Sequence, residues 1–311
     1  MVSQYLDPKN DFAFKRIFGR EKNKDILIGF LNDVLDHKHV GQIVDVAFLD
    51  PVQNPDVAAK KQSILDVLCQ DQNGVQYIVE MQVAKTTGFE KRAQYYASKA
   101  YIDQLGKAEG YENLKEVIFL AITDFVMFPK KKAVKSDHMV LDRETSEHDL
   151  KDLFFTFIEL PKFTKGIDEL SSMTEKWYYY LKHASETQGE VYEKLIVDAP
   201  IIKRAYKELN RANWSKEELR AYERVEKIER DNAAAEAYKL EKAQEKGKKE
   251  GRKEGKKEGI AIGEKKGITM GEEKKQKEIA LQMLAKGLAT ELICELTGLT
   301  PKQVNALKPP Q

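Results

Sequence analysis

Ser63-Ile64-Leu65-Asp66-Val67-Leu68-Cys69-Gln70, the turn Asp71-Gln72-Asn73-Gly74, and Val75-Gln76-Tyr77-Ile78-Val79-Glu80-Met81-Gln82 together decide the fold of this chain. Two apolar, strand-length runs on either side of a polar turn ending in glycine spell a β-hairpin. Each run also carries a carboxylate inside core-type sequence, Asp66 in the first and Glu80 in the second. Burying a carboxylate costs several kcal/mol unless a cation or hydrogen bonds compensate. A divalent metal is the cation expected here.

The length of the turn decides which side chains meet. A three-residue loop, Gln72-Asn73-Gly74 with Gly74 left-handed, pairs Asp71 with Val75 and sets Asp66 opposite Glu80 and Ile64 opposite Gln82. A two-residue Asn73-Gly74 turn shifts the register by one, sets Asp66 opposite Met81 and sends the carboxylates to opposite faces. The alternation favours the longer loop. One face then collects Leu65, Val67, Cys69, Tyr77, Val79 and Met81, and the other collects Asp66, Glu80 and Gln82 beside Ile64, Leu68 and Ile78.

Upstream, the spacing of Phe12, Phe14, Ile17 and Phe18 predicts a helix from Asp11 to Gly19, followed by a second over Lys24 to Asp36 and a strand over Ile43 to Leu49 ended by Asp50-Pro51. Downstream, Lys91 to Gly106 reads as a helix and Val117 to Ile122 as a strand buried on both sides. Strand-like runs recur at Met139 to Leu141 and Leu153 to Leu160. Strand, hairpin, helix, strand is the order of an α/β domain with a mixed sheet under helices.

Beyond Pro161 the pattern turns helical: Met173 to His183, Glu190 to Ala212, and a charged stretch from Ser215, where Ser215-Lys216-Glu217-Glu218 is a capped start. Glycine then recurs at every fourth position from Gly247 to Gly271 among Lys and Glu. Each glycine inside a helix costs about 0.8–1 kcal/mol relative to alanine, so a solvated or loosely helical spacer is expected rather than a specific oligomerising helix. Ile279 to Leu307 regains an amphipathic pattern, with Gly298-Leu299-Thr300-Pro301 as a helix stop and restart. The expected division is a core at 1–165, a helical extension at 166–245, a spacer at 246–275 and a small helical module at 276–311.

Hydrophobic residues make up 41% of the 311, enough for a core, and the net charge of +1 excludes a uniformly basic coat. Two cysteines, Cys69 and Cys294, make neither a disulfide framework nor a metal-ligand spacing. His37 and His39 read as solvated loop residues, and no serine or cysteine nucleophile comes with a recognisable base. No apolar run is long enough for a bilayer and the opening residues lack a signal-peptide pattern, so a cytoplasmic location without membrane partners is expected.

Several blocks resemble a known family. Asp66 on one strand and Glu80-Met81-Gln82 on the next, followed by a helix, resemble the PD-(D/E)XK nuclease superfamily, with glutamine where lysine is usual. Asp11 to Gly19, Leu65 to Leu68, Ile78 to Gln82, Arg92 to Tyr96 and Gly110 to Leu114, in that order, are similar to the Rpn family of recombination-promoting nucleases, also called PD-(D/E)XK family transposases. The resemblance implies a restriction-endonuclease-like α/β fold and a DNA endonuclease in a recombination or mobile-element setting. It implies Asp66 and Glu80 as ligands of Mg²⁺, with Mn²⁺ as the other candidate, and Gln82 in the lysine position. Such a metal takes hard oxygen ligands, neutralises phosphate charge and lowers the pKa of a bound water.

Asp11 is an accessory carboxylate or the cap of the first helix, with equal weight. Lys15, Arg92 and Tyr96 are accessory phosphate-contact candidates. For Lys15 and Arg92 the competing expectation is a solvated helix face, and for Tyr96 a core position. Residues 287–307 are reminiscent of a helix-turn-helix, but few basic residues lie there and a protein-interaction or dimerising role is favoured. DNA is the expected partner, with self-association through the C-terminal helices as the second. The rival reading is a DNA-binding or protein-interaction protein on a nuclease scaffold that no longer cuts.

Overall fold

Asp71, at the end of the first hairpin strand, accepts hydrogen bonds through its side chain from the backbone of Asn73 (2.8 Å) and Val75 (3.0 Å), while Gly74 takes a left-handed φ of 84°. The hairpin therefore closes through the longer loop, and its strands β4 (Val67–Asp71) and β5 (Gln76–Gln82) pair with Val67 opposite Val79. The paired ladder ends there, and Asp66, the next residue, stands at a bend just outside β4. The computed structural model describes residues 3–35, 41–53, 63–106 and 109–308. His37 and His39 lie outside them. The chain divides into two compact units, Met1–Arg230 and Asp231–Gln311.

In the first unit, β4 and β5 sit inside a six-stranded mixed sheet ordered β1-β4-β5-β6-β8-β7, with β1 at Val46–Phe48, β6 at Val117–Thr123, β7 at Lys135–Met139 and β8 at Leu153–Glu159. β5, β6 and β8 run parallel; β1, β4 and β7 pair antiparallel with their neighbours. Alternation splits the strands between two cores. Val67, Cys69, Tyr77, Val79, Met81, Ile118, Leu120 and Ile122 face one, and Leu68, Ile78, Val117, Phe119, Ala121 and Phe157 face the other.

The larger core is covered by α1 (Asp11–Phe18), α2 (Lys24–Val34), α4 (Met173–His183), α5 (Gly189–Ile196) and α6 (Pro200–Leu209), with Phe14, Phe18, Phe30, Trp177 and Tyr206 at its centre. The helices beyond residue 166 thus share one core with the sheet. α3 (Phe89–Ile102) covers the other face through Phe89, Ala93, Ala97 and Ala100. The three alanines, spaced four and three residues apart, leave it free to lie close to the strands.

Four expectations need correction. Leu65 buries in the α3-side core rather than beside Val67, because the chain bends at Asp66 and the backbone of Leu65 donates to the carbonyl of Pro51. That departure belongs to a two-stranded ribbon, β2 (Val52–Gln53) with β3 (Ser63–Ile64), which the continuous strand-length run from Ser63 to Gln70 concealed. The strand expected over Ile43 to Leu49 shrinks to β1, since the Asn32 side chain takes both backbone groups of Ile43. The helix expected over Glu190 to Ala212 breaks before Pro200, where Asp198 has φ +54°, as proline prohibits a continuing ladder. The edge strand lies at Lys135–Met139 rather than over Met139 to Leu141, where it can pair with β8.

α7 runs Lys216–Ala285 and is started by a reciprocal box in which Ser215 Oγ accepts from Glu218 N and Glu218 Oε2 accepts from Ser215 N. The glycine-periodic segment is helical, and at Gly247, Gly251, Gly255, Gly259, Gly263, Gly267 and Gly271 an added Cβ would meet nothing within 4 Å among the described residues. In the second unit, α8 (Thr290–Thr297) stops at left-handed Gly298, and Thr300 caps α9 (Pro301–Asn305). Ala280, Ile293, Leu299 and Val304 make its small core. No helix among the described residues is long and apolar enough to cross a membrane.

Candidate active site

Asp66 stands at the bend between β3 and β4 with its side chain 12% exposed, and Glu80, in mid-β5, is 3% exposed. The Glu80 carboxylate accepts from the backbone N–H of Asp66 at 3.1 Å, and the Asp66 carboxylate accepts from the backbone N–H of Met81 at 2.9 Å. Hairpin register and the bend thus bring the two carboxyls to one place. Burial pushes both pKa values up; in Glu80 the charge of Asp66 pushes further the same way, while Lys15 pulls Asp66 back down.

Two cations close on this pair from opposite sides of the sheet. Lys15 of α1 reaches Asp66 Oδ1 at 3.3 Å and Asp11 Oδ1 at 2.7 Å. Burial acts to lower the lysine pKa, but these carboxylates hold it above its ordinary value. Arg92 of α3 donates from Nη2 to Gln82 Oε1 at 2.5 Å, and Gln82 in turn donates from Nε2 to Glu80 Oε2 at 3.3 Å. Neither cation is a purely solvated helix-face residue, because buried carboxylates draw cations inward.

Asp11 does not cap α1. Asn10 does, accepting from the backbone of Phe12 and Ala13, which leaves Asp11 to hold Lys15. Tyr96 packs partly buried against the α3-side core, as the core expectation had it; burial raises its hydroxyl pKa, Arg92 lowers it, and Glu80 and Asp66 raise it. One turn of α3 aligns Lys91 with Tyr95 and Arg92 with Tyr96. Lys91 and Tyr95 escaped attention in the sequence, although Tyr95 lies within the Arg92 to Tyr96 block and helical spacing pointed to it. Beside Gln82, Asp124 donates its backbone N–H to the Gln82 carbonyl and pairs with Lys9 at 2.8 Å.

A buried carboxyl pair with one flanking amide is a donor set of hard oxygens, which suits a small divalent cation. Among the described residues no group of three or more His, Cys, Asp or Glu side chains is placed to hold a metal ion. A family model described as a PD-(D/E)XK nuclease family transposase matches residues 8–239. The chain belongs to that family. Its mixed sheet flanked by helices is the PD-(D/E)XK fold. A second model, the C-terminal helix-turn-helix domain of the Rpn/YhgA-like nuclease family, matches residues 273–309, which contain α8, the Gly298 turn and α9. No curated protein and no solved structure matches the chain.

Proposed function

We propose that this family member is a metal-dependent DNA endonuclease in which Asp66 and Glu80 hold one Mg²⁺, with Mn²⁺ as an alternative ion. The observation that carries this reading is the reciprocal backbone bonding of two buried carboxyls whose pKa values are both raised. Such a pair resists holding two negative charges unless a cation joins it. A bound divalent ion supplies charge neutralisation for the scissile phosphate and lowers the pKa of water.

The chain's own residues do the rest. Gln82, anchored by Arg92 and Glu80, orients a water or a phosphate oxygen through its amide and has no capacity to act as base. Lys15 and Arg92 present positive charge to the phosphodiester, Asp11 positions Lys15, and Tyr96 walls the site beside Arg92. The helix-turn-helix match supports a DNA-holding role for the C-terminal module over the interaction role expected from its few basic residues. Two free cysteines accord with a cytoplasmic setting, and the transposase description with DNA breakage during recombination.

The test is plasmid nicking by the full chain with Mg²⁺ or Mn²⁺, beside Asp66→Ala and Glu80→Ala. Loss of nicking in both variants is expected; equal nicking by all three proteins would remove these residues from the mechanism. Calorimetric titration with either ion separates this reading from a non-cutting scaffold. Absence of divalent binding at neutral pH would favour the scaffold.

A further inference from the structure

Where β5 gives way to α3, the chain leaves an open cleft of about 470 Å³ whose lining includes Gly88, Phe89, Lys91, Arg92, Tyr95 and Tyr96. Its volume lies in the range of pockets that hold small ligands, roughly 300–1,000 Å³. Among the described residues no carboxylate lines it. Two cations and two tyrosines on successive turns of one helix make a surface that is positive and aromatic at once.

The cleft adjoins the carboxylate pair through Arg92. One guanidinium nitrogen is bonded to Gln82, while Nε is buried without a hydrogen-bond partner among the described residues, and the guanidinium carbon lies 4.8 Å from the Phe89 ring centre. Lys91 forms no ion pair with a described residue, and Tyr95 is 47% exposed. The Tyr95 and Tyr96 rings lie 6.2 Å apart and are tilted by 56°, so they do not stack on each other. Tyr96 therefore does not cover the Tyr95 ring face.

We propose that this cleft takes one unpaired nucleotide of the DNA next to the scissile phosphate, with its base stacked on Tyr95 and its own phosphate held by Lys91 and Arg92. The proposal rests on the nuclease reading and adds the form of the substrate to it. A base within a duplex has both faces covered by its neighbours and has none to offer a tyrosine. A single-stranded, gapped or flapped stretch offers a face at every base, and aromatic side chains bind such bases with little regard to sequence. The preferred substrate is accordingly DNA with an unpaired nucleotide at the cut.

The experiment is fluorescence anisotropy with the full chain in EDTA, where cutting plays no part, using labelled single-stranded dT₆ and a labelled 12-base-pair duplex. Tyr95→Ala is expected to weaken dT₆ binding about tenfold, as loss of one base–aromatic stack does. Tyr95→Phe, which keeps the ring, should bind dT₆ within about twofold of the parent, and duplex affinity should change less than about twofold in either variant. Lys91→Gln should reduce the slope of log affinity against log salt for dT₆ by about 0.7, the loss of one phosphate contact on a single strand. Unchanged dT₆ binding in Tyr95→Ala, equal weakening of the duplex, or an unchanged salt slope in Lys91→Gln would overturn the proposal. Plasmid nicking reads the nuclease assignment separately, so the two can fail independently.

Discussion

Asp66 and Glu80 are tied to each other through the backbone: Glu80 Oε1 accepts from the N–H of Asp66 at 3.1 Å, and Asp66 Oδ2 accepts from the N–H of Met81, the residue after Glu80, at 2.9 Å. Each carboxyl thereby fixes the strand that carries the other. The arrangement orients both side chains, yet it leaves like charges together in a place from which water is largely removed. A carboxyl pair built this way is less stable by itself than its packing alone would suggest.

Glu80→Gln should therefore stabilise the metal-free protein while abolishing cleavage. Burial and the Asp66 charge raise the Glu80 pKa in the fold, so the native state binds the proton more tightly than the unfolded chain. Stability linked to this group is full below the ordinary carboxylate range and falls as pH rises toward the raised value. The melting temperature of Glu80→Gln should exceed that of the parent by a few degrees at pH 8, with the gap closing toward pH 4. A variant that melts lower than the parent at pH 8 contradicts this account.

The contact between Gln82 and Arg92 gives a physical reason for glutamine at the position that the resemblance assigns to lysine. Arg92 Nη2 donates to Gln82 Oε1 at 2.5 Å, so a lysine at that position, which has no acceptor, would meet the guanidinium with a second positive charge. Gln82→Lys should destabilise by about 1–3 kcal/mol, and Arg92→Gln in the same chain should recover most of the loss. Urea unfolding of the two single variants and the double variant measures the coupling. Additive losses would show that the two positions do not communicate.

Glu208 anchors the helical layer to the start of the chain. Burial alone would push its pKa up, but hydrogen bonds from Arg204, Lys22 and Asn23 hold it at about 2. The depressed value means that its stabilisation is present above the unfolded carboxylate pKa and is lost as pH falls from there toward about 2. Glu208→Gln should cost about 1.5–3 kcal/mol at pH 7 and less at pH 3, where part of the contribution is already lost. Chemical denaturation at the two pH values reads the difference; an equal cost at both would place the effect in packing instead of charge.

The glycine-periodic part of α7 invites a different substitution. Gly255→Ala, Gly259→Ala and Gly263→Ala each put a methyl into open space within a helix, and each should favour the helix by about 0.8–1 kcal/mol. Circular dichroism of the triple variant should show more helix and a higher melting point for that segment. A loss of helix on substitution would mean that the glycines are held close to a partner.

Much of the nuclease core was legible in the residues. The alternation of Val67, Cys69, Tyr77 and Val79 sufficed to choose the hairpin register, and with it the longer of the two turns, because a slip of one residue would have turned an apolar face to water. Val117 to Ile122 read as a doubly buried strand because every position was apolar, and it lies parallel to both β5 and β8. The stop at Gly298 and restart at Pro301 were equally local, resting on a left-handed glycine and a capping threonine.

The bend at Asp66 was not legible, since Ser63 to Gln70 alternates as one strand and only the pairing of Ser63–Ile64 with Val52–Gln53 pulls its first residues into a separate ribbon. Nor could spacing reveal that Lys15 would bridge Asp11 and Asp66, or that Arg92 would lock Gln82, since each contact joins residues on different elements. Short-range chemistry set by neighbours along the chain, such as turns, caps and alternation, was carried by the sequence itself. The meeting of a buried carboxylate with a cation on another element was decided by tertiary packing, because the low-polarity interior makes that pairing favourable only once the elements are in place.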